Sequence, residues 1–391
     1  MGDRKWTWWI GLWLLMAVVP SSRAQPPRLI ETRWFYSQVE LSKDGRIVLF
    51  VRSWQGQDVS ALLFWQIDPF NAIYYLRADG SLTQNPAEAL QYITRLSYDG
   101  TIAVGSIGYY EEARAIIWRY GVGVEYLPHP DPNWLWMTGI SLSWWDGRVV
   151  YGAAAIPSGN TYAYIAWRYE NGVVQAFQYY CTGPCSADGS CVLCRGIFIS
   201  ARWCEDVGFN GPGGCCISAD GRIVAGGSYR WVEGRGFEWI DPPYYPRYTE
   251  RPAVLTMSSD GRILAGIYFR SRYDDGLAFW WREGLGSEDL TERFRPWLGD
   301  GIQLWRVESM SADGRYLLCR GTRYGWGICA ILDTGLIGDV DGNGCVDDAD
   351  LLAVLFAFGQ VGSDLPEDVN GDGEVETRDL LEVLFYFGNG C

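Results

Sequence analysis

Two stretches near the C-terminal end carry oxygen-bearing side chains at a spacing that suits one kind of chemistry. The first is Asp339-Val-Asp341-Gly-Asn343-Gly-Cys345-Val-Asp347-Asp-Ala-Asp350. The second, Asp368-Val-Asn370-Gly-Asp372-Gly-Glu374-Val-Glu376-Thr-Arg-Asp379, repeats it position by position. Within each loop, oxygen donors fall at positions 1, 3, 5, 9 and 12, with glycine at position 6 for a sharp turn. Calcium takes about six to eight oxygens at once, and alternate residues of a tight loop turn theirs inward. Position 7 gives a backbone carbonyl, which leaves the side chains of Cys345 and Glu374 unconstrained. One Ca2+ is expected on Asp339, Asp341, Asn343, Cys345, Asp347 and Asp350. A second is expected on Asp368, Asn370, Asp372, Glu374, Glu376 and Asp379.

An apolar run follows each loop and predicts one helix per loop. Residues 336–391 hold 13 acidic side chains and one arginine, net −12 of the chain's −15. Two loop-helix units in so short a segment resemble a type I dockerin, the module that plugs secreted proteins into cohesin-bearing scaffolds. The resemblance implies a small α-helical domain over 336–391 that holds two calcium ions through the residues named. It also implies a cohesin-like or other protein partner. At positions 10 and 11, where that family usually carries a Ser/Thr pair, this chain has Asp348-Ala349 and Thr377-Arg378.

The elements that must carry such a tail are a repeat. Ile217-Ser-Ala-Asp-Gly-Arg-Ile-Val-Ala-Gly226 reads as a strand, an Asp-Gly turn and a second strand. Copies centre on glycines 45, 100, 147, 189, 221, 261 and 314, with gaps of 55, 47, 42, 32, 40 and 53 residues. A period of about 40 to 50 residues with four strands per unit is a propeller blade. An aromatic motif keeps step: Leu62–Trp65, Ala115–Trp118, Ala163–Trp167, Gly236–Trp239 and Ala278–Trp281, read as the third strand. The fold class expected is mainly β: a seven-bladed, irregular propeller over 25–335, then the small dockerin-like domain. The 32-residue gap leaves little room for a fourth strand in the fourth blade. The turn and the aromatic motif resemble the HAF-type extracellular repeat over about residues 33–333, with Ala, Gly or Leu where that family has His. That resemblance implies a secreted bacterial propeller and no particular chemistry. Ring closure is expected from Thr32-Arg-Trp-Phe-Tyr36, which is free to complete a three-stranded last blade.

Residues 1–24 have a basic start, an apolar core and small residues at 22 and 24, as a secretory signal peptide does. The mature chain is expected to start near Gln25, outside the cell or on its surface, with no later membrane span. Eleven cysteines then sit in an oxidising compartment. Cys194 and Cys319 occupy equivalent repeat positions, and Cys204 and Cys329 follow each by ten residues. Two cross-strand disulfides, 194–204 and 319–329, are expected. A third, Cys345–Cys391, would clasp the tail.

Other chemistry is sparse. His129, the single histidine, lies in a Pro-rich loop, and no catalytic residue is assigned. No nucleophile elbow or phosphate-binding glycine loop is present, and without a basic run nucleic acid is not a partner. The turn aspartates have a conformational explanation. Trp134-Leu-Trp136, Trp144-Trp145, Tyr109-Tyr110 and Tyr244-Tyr245 could stack on sugars, Trp134 to Trp136 being the most exposed by its loop context. The reading favoured is a secreted, non-enzymatic propeller that binds protein or glycan and is tethered by its calcium tail. The alternatives are a polysaccharide-active hydrolase or lyase and a structural surface protein.

Overall fold

The computed structural model describes residues 27–391 apart from 33–36, 109–111, 159–160, 178–182, 195–196, 201–203, 206–215, 242–251, 270–275, 342, 344, 363–364, 371 and 390–391. The expected signal segment, Gln25 and the tyrosine pairs 109–110 and 244–245 lie outside the described residues. The chain divides into two compact units, Arg28–Asp333 and one containing Thr334–Cys391.

In the larger unit, strands joined by tight turns form antiparallel meanders, as the turn chemistry dictates. The sheets over 37–83, 93–126, 136–177, 216–239 and 252–289 have four or five strands each. A further four-stranded sheet joins 302–333 to the strand Arg28–Thr32. The repeat around Gly189 gives less. Its inner strand is one bridge, Cys185 to Val192, and its three strands end in the two-residue Cys204–Glu205. A seven-bladed propeller with a dockerin-like helical domain is therefore corrected. Counting sheets of four or more strands, the chain holds a six-bladed, mainly β propeller. The described residues add only four short α-helices, two of four residues and two of ten. The Gly189 repeat has the shortest spacing, 32 residues to the next turn glycine, and its described residues form three strands, the last of two residues.

The cores lie between neighbouring sheets. Leu41, Val48, Phe50 and Trp65 pack with Leu318 and Ile331 of the last sheet, and Val104 and Ile117 pack with Met137, Val150 and Trp167. Burying one such aliphatic side chain is worth about 1.5–3 kcal/mol. Four of the five aromatic motifs lie in or at the end of a third strand, whereas Gly236–Trp239 forms the fourth strand of its sheet.

Closure uses the strand Arg28–Thr32, paired from Arg28–Asp333 to Thr32–Cys329. That is upstream of the strand expected, whose residues 33–36 lie outside the described residues. Ion pairs accompany the five-residue ladder. Buried Asp333 accepts from Arg315 Nε at 2.7 Å and from Arg28 Nε at 3.4 Å, and Glu31 pairs with Arg323 at 2.6 Å. Closure covers the edge that the strand Trp326–Asp333 would otherwise expose and ties the two ends of the propeller sequence into one sheet.

The two cross-strand disulfides are corrected. The two-residue turn at Tyr324 and Gly325 sets Cys319 opposite Ala330 and Cys329 opposite Arg320. One step of register puts the two side chains on opposite faces, and neither cysteine is disulfide-bonded. Cys194 and Cys204 lie on strands with Ile197–Ser200 between them. Two strand spacings, roughly 9–10 Å, exceed what a disulfide spans.

Candidate functional site

The tail builds its loops from side chains that bond their own backbone. Asp347 and Glu376 stand at the N-caps of the helices Asp348–Ala357 and Thr377–Tyr386, each in a capping box with the aspartate three residues on. Asp350, fully buried, accepts from Val340 N (2.6 Å) and Asp341 N (3.0 Å) through Oδ1 and from Asp347 N (2.8 Å) through Oδ2. Asp379, equally buried, accepts from Asn370 N (2.9 Å) and Glu376 N (2.8 Å). At positions 3 and 5, Asp341 accepts from Asn343 N, Asn343 from Cys345 N, Asn370 from Asp372 N and Asp372 from Glu374 N. Gly373, at position 6, has φ +95°, which a residue with a side chain rarely adopts.

Carboxylate oxygens of Asp339, Asp341 and Asp350 lie within 4.8 Å of one another. The equivalent trio in the second loop is Asp368, Asn370 and Asp379, where one carboxylate is an amide. Asn343, Asp347, Asp372 and Glu376 sit on the same loops, while Cys345 and Glu374 offer only backbone. Burial holds the Asp379 carboxyl above its usual range, N–H bonds from Glu376 and Asn370 oppose this, and the charges of Asp368 and Asp372 add to it. The donor set fits calcium: the side-chain donors are all hard oxygens, crowded to a few ångströms in the first loop.

The repeat is reciprocal in space. Val346 of the first loop donates to Asn389 O (2.9 Å) and accepts from Gly388 N (2.7 Å). Val375 of the second donates to Gln360 O (2.9 Å) and accepts from Gly359 N (2.8 Å). The end of the second helix thus returns to the first loop. Cys345 is disulfide-bonded; Cys391, its expected partner, lies outside the described residues.

In the propeller the turn aspartates have a structural role. In the turn at Gly221, Asp220 Oδ1 accepts from Ser218 Oγ (2.6 Å) and Arg222 N (3.0 Å), and Ser218 Oγ accepts from Ile223 N (2.9 Å). In the other six turns the serine likewise donates to the aspartate, from Ser42 with Asp44 to Ser311 with Asp313. Backbone of these turns forms a closed ring. Ala312 N donates to Lys43 O (2.6 Å), Ser259 N to Ala312 O (2.6 Å), Ala219 N to Ser259 O (2.6 Å) and Ala187 N to Ala219 O (2.8 Å). Trp144 N donates to Ala187 O (2.8 Å), Tyr98 N to Trp144 O (2.7 Å), and Asp44 N closes on Tyr98 O (3.0 Å). Seven turns therefore meet around one axis, although only six blades are complete.

Side chains reach into that axis. Arg95 Nη1 lies 2.6 Å from Glu40 Oε1, and Lys43 Nζ stands 5.1 Å from the centre of the Trp144 ring. Sequence reading missed this group, because Lys43 looked like a variable turn residue. Its rarity as a lysine was the signal available. His129 is half-buried against Trp134 at 6.0 Å, and burial followed by the Arg114 charge lowers its pKa. Trp134, expected to be exposed, is a core residue at 6% exposure, whereas Trp145 is 65% exposed and stacks on Tyr98 at 4.1 Å.

No family model and no curated protein matches the chain. Solved structures do. An oligogalacturonate lyase from Vibrio parahaemolyticus is 12% identical, with 80% of this chain and 92% of that one covered and a TM-score of 0.46. A TolB-like protein from Agrobacterium tumefaciens is 14% identical over 80% and 99%, with a TM-score of 0.37. The propeller domain of the Trilobed protease from Pyrococcus furiosus is 12% identical over 65% and 81%, at 0.38. The chain is similar to these as β-propellers, and likeness at this level carries no argument about activity. No helix among the described residues is long and apolar enough to cross a membrane.

Proposed function

We propose that this chain is a secreted, non-enzymatic binding propeller tethered by a tail that two calcium ions hold in shape. The observation that carries the reading is the gathering of Asp339, Asp341 and Asp350 oxygens within 4.8 Å. Like charges at that separation repel by about 1 kcal/mol per pair even at the dielectric of water, and by more where water is displaced. Bound calcium supplies the compensating charge and ties each loop to its helix. Asp350 and Asp379 hold that position at the head of each helix; Asp350 Oδ2 and both Asp379 oxygens each accept one N–H, which leaves a lone pair on each for a cation. Asn343 and Asn370 offer amide oxygens, and Cys345 and Glu374 backbone carbonyls.

The tail also leaves matched apolar side chains exposed: Leu352 with Leu381, Leu355 with Leu384 and Phe358 with Phe387, each pair at equivalent places in the two loop-helix units. They support a protein partner for the tail, cohesin-like or other, and the propeller is left to bind a glycan or protein ligand. Equilibrium dialysis of the full chain against calcium tests the reading. Two ions per chain are expected, and one after either Asp350→Ala or Asp379→Ala. A chain that takes up no calcium at millimolar concentration would sink it.

A further inference from the structure

The two calcium loops are matched in charge and unmatched in how they are held. Each presents four carboxylates and one amide at positions 1, 3, 5, 9 and 12, so charge does not rank them as sites. Position 7, whose carbonyl faces the ion, is where they part. In the second loop that residue is Glu374, and backbone pairing holds it. Glu374 forms an antiparallel bridge with Val361, in which Gly362 N donates to Gly373 O at 3.0 Å and Val375 N to Gln360 O at 2.9 Å. In the first loop the residue is Cys345, and it is disulfide-bonded.

That disulfide sits inside the binding loop. Cys345 N donates to Asn343 Oδ1 at 2.7 Å, so its amide holds the position-5 side chain while its carbonyl is the position-7 ligand. Its neighbour Val346, fully buried, is tied to Gly388 and Asn389 at the end of the second helix. By the 29-residue offset Cys391 stands where the second unit has Gly362; Cys391 itself lies outside the described residues. The first loop also draws three carboxylates within 4.8 Å, a repulsion that opens it when no cation compensates. A cross-link at Cys345 limits where its carbonyl can go before an ion arrives. Restricting the open ensemble is how a disulfide stabilises, and a loop already in its binding shape loses less entropy on binding.

We propose that the Cys345 disulfide positions the first loop for calcium, making it the tighter of the two sites, and that a dithiol which opens the disulfide loosens that site alone. The inference rests on the calcium reading of the tail. Opening is a two-electron exchange in which the S–S bond at Cys345 breaks and the reagent's two thiols close into a disulfide of their own. Their protons end on the two released cysteine sulfurs. Cys345 is half-buried, within reach of a small reagent. Fixing the backbone of one residue corresponds to about tenfold in affinity. Coupling is reciprocal, so calcium favours the closed disulfide by the same factor.

Calorimetric calcium titration of the full chain tests this one site at a time. Asp379→Ala leaves the first site and Asp350→Ala the second, and the Asp379→Ala chain binds its ion more tightly. Adding Cys345→Ser weakens calcium about tenfold in the Asp379→Ala chain and less than about twofold in the Asp350→Ala chain. The reverse order of affinities, equal weakening in both chains or none in either overturns the inference and leaves two calcium sites standing. No calcium uptake by the unaltered chain overturns the calcium reading, and this inference with it. Should a double variant not fold, the unaltered chain in a dithiothreitol redox buffer replaces it, with alkylation of Cys345 read by mass spectrometry. Saturating calcium then raises the ratio of bonded to reduced Cys345 about tenfold, and an unchanged ratio overturns the inference.

Discussion

The propeller turns and the tail loops are both made of aspartate and glycine, yet their carboxylates stand in opposite situations. In a propeller turn one aspartate works alone, its Oδ1 shared by a serine hydroxyl and a backbone N–H, as at Asp220. In the first tail loop three carboxylates converge to 4.8 Å, in a segment with 13 acidic side chains and one arginine. Residue type does not separate a structural aspartate from a ligand. Local density of like charge does, because only the crowded set is relieved by a cation.

The largest effect should come from breaking the propeller while sparing the tail. Asp333→Ala removes the carboxylate that Arg315 and Arg28 share across the closing strand. A loss of about 3 kcal/mol is expected by urea denaturation, since removing one member of a buried pair strands the other. Two calcium ions should still bind. A smaller stability loss with altered calcium uptake would blur the division between the regions.

Next is the glycine of a turn. Gly261 has φ +71°, and a Cβ there would lie 2.7 Å from Ile223 Cδ1 of the preceding turn. Gly234 has φ +77° and open space. Gly261→Ala should cost about 2–3 kcal/mol and Gly234→Ala about 1 kcal/mol. Equal losses would show that contact around the ring adds nothing to the backbone strain.

The smallest of the three belongs to the hydroxyl. Ser218→Ala removes the donor to Asp220 and the acceptor for Ile223 N. About 1 kcal/mol is expected, with no dependence on calcium. A calcium-dependent loss would place the turns in the same chemical class as the tail loops.

Much of this was legible in the sequence because its signals are local. Ser-x-Asp-Gly fixes a turn wherever it occurs, and the tail spacing fixes which side chains can turn inward. What failed depended on register or on partners distant in the chain. Ten residues between Cys319 and Cys329 looked like facing positions, but a two-residue turn shifts the pairing by one. Closure was legible as a need, whereas its register depends on pairing with 329–333 at the far end of the propeller sequence. Trp134 reads as a loop residue and is buried by Met137, Leu142 and their neighbours. Lys43 had no motif at all, and only the closed ring brings it over Trp144.

Hydrogen exchange read by mass spectrometry, with and without calcium, addresses the difference between the two regions most directly. Calcium should slow exchange across 339–350 and 368–379, where backbone N–H groups bond the position-12 carboxylates, and leave the turn amides of Arg222 and Ile223 unchanged. Tail amides indifferent to calcium, or propeller turns protected as strongly as the tail, would contradict the account.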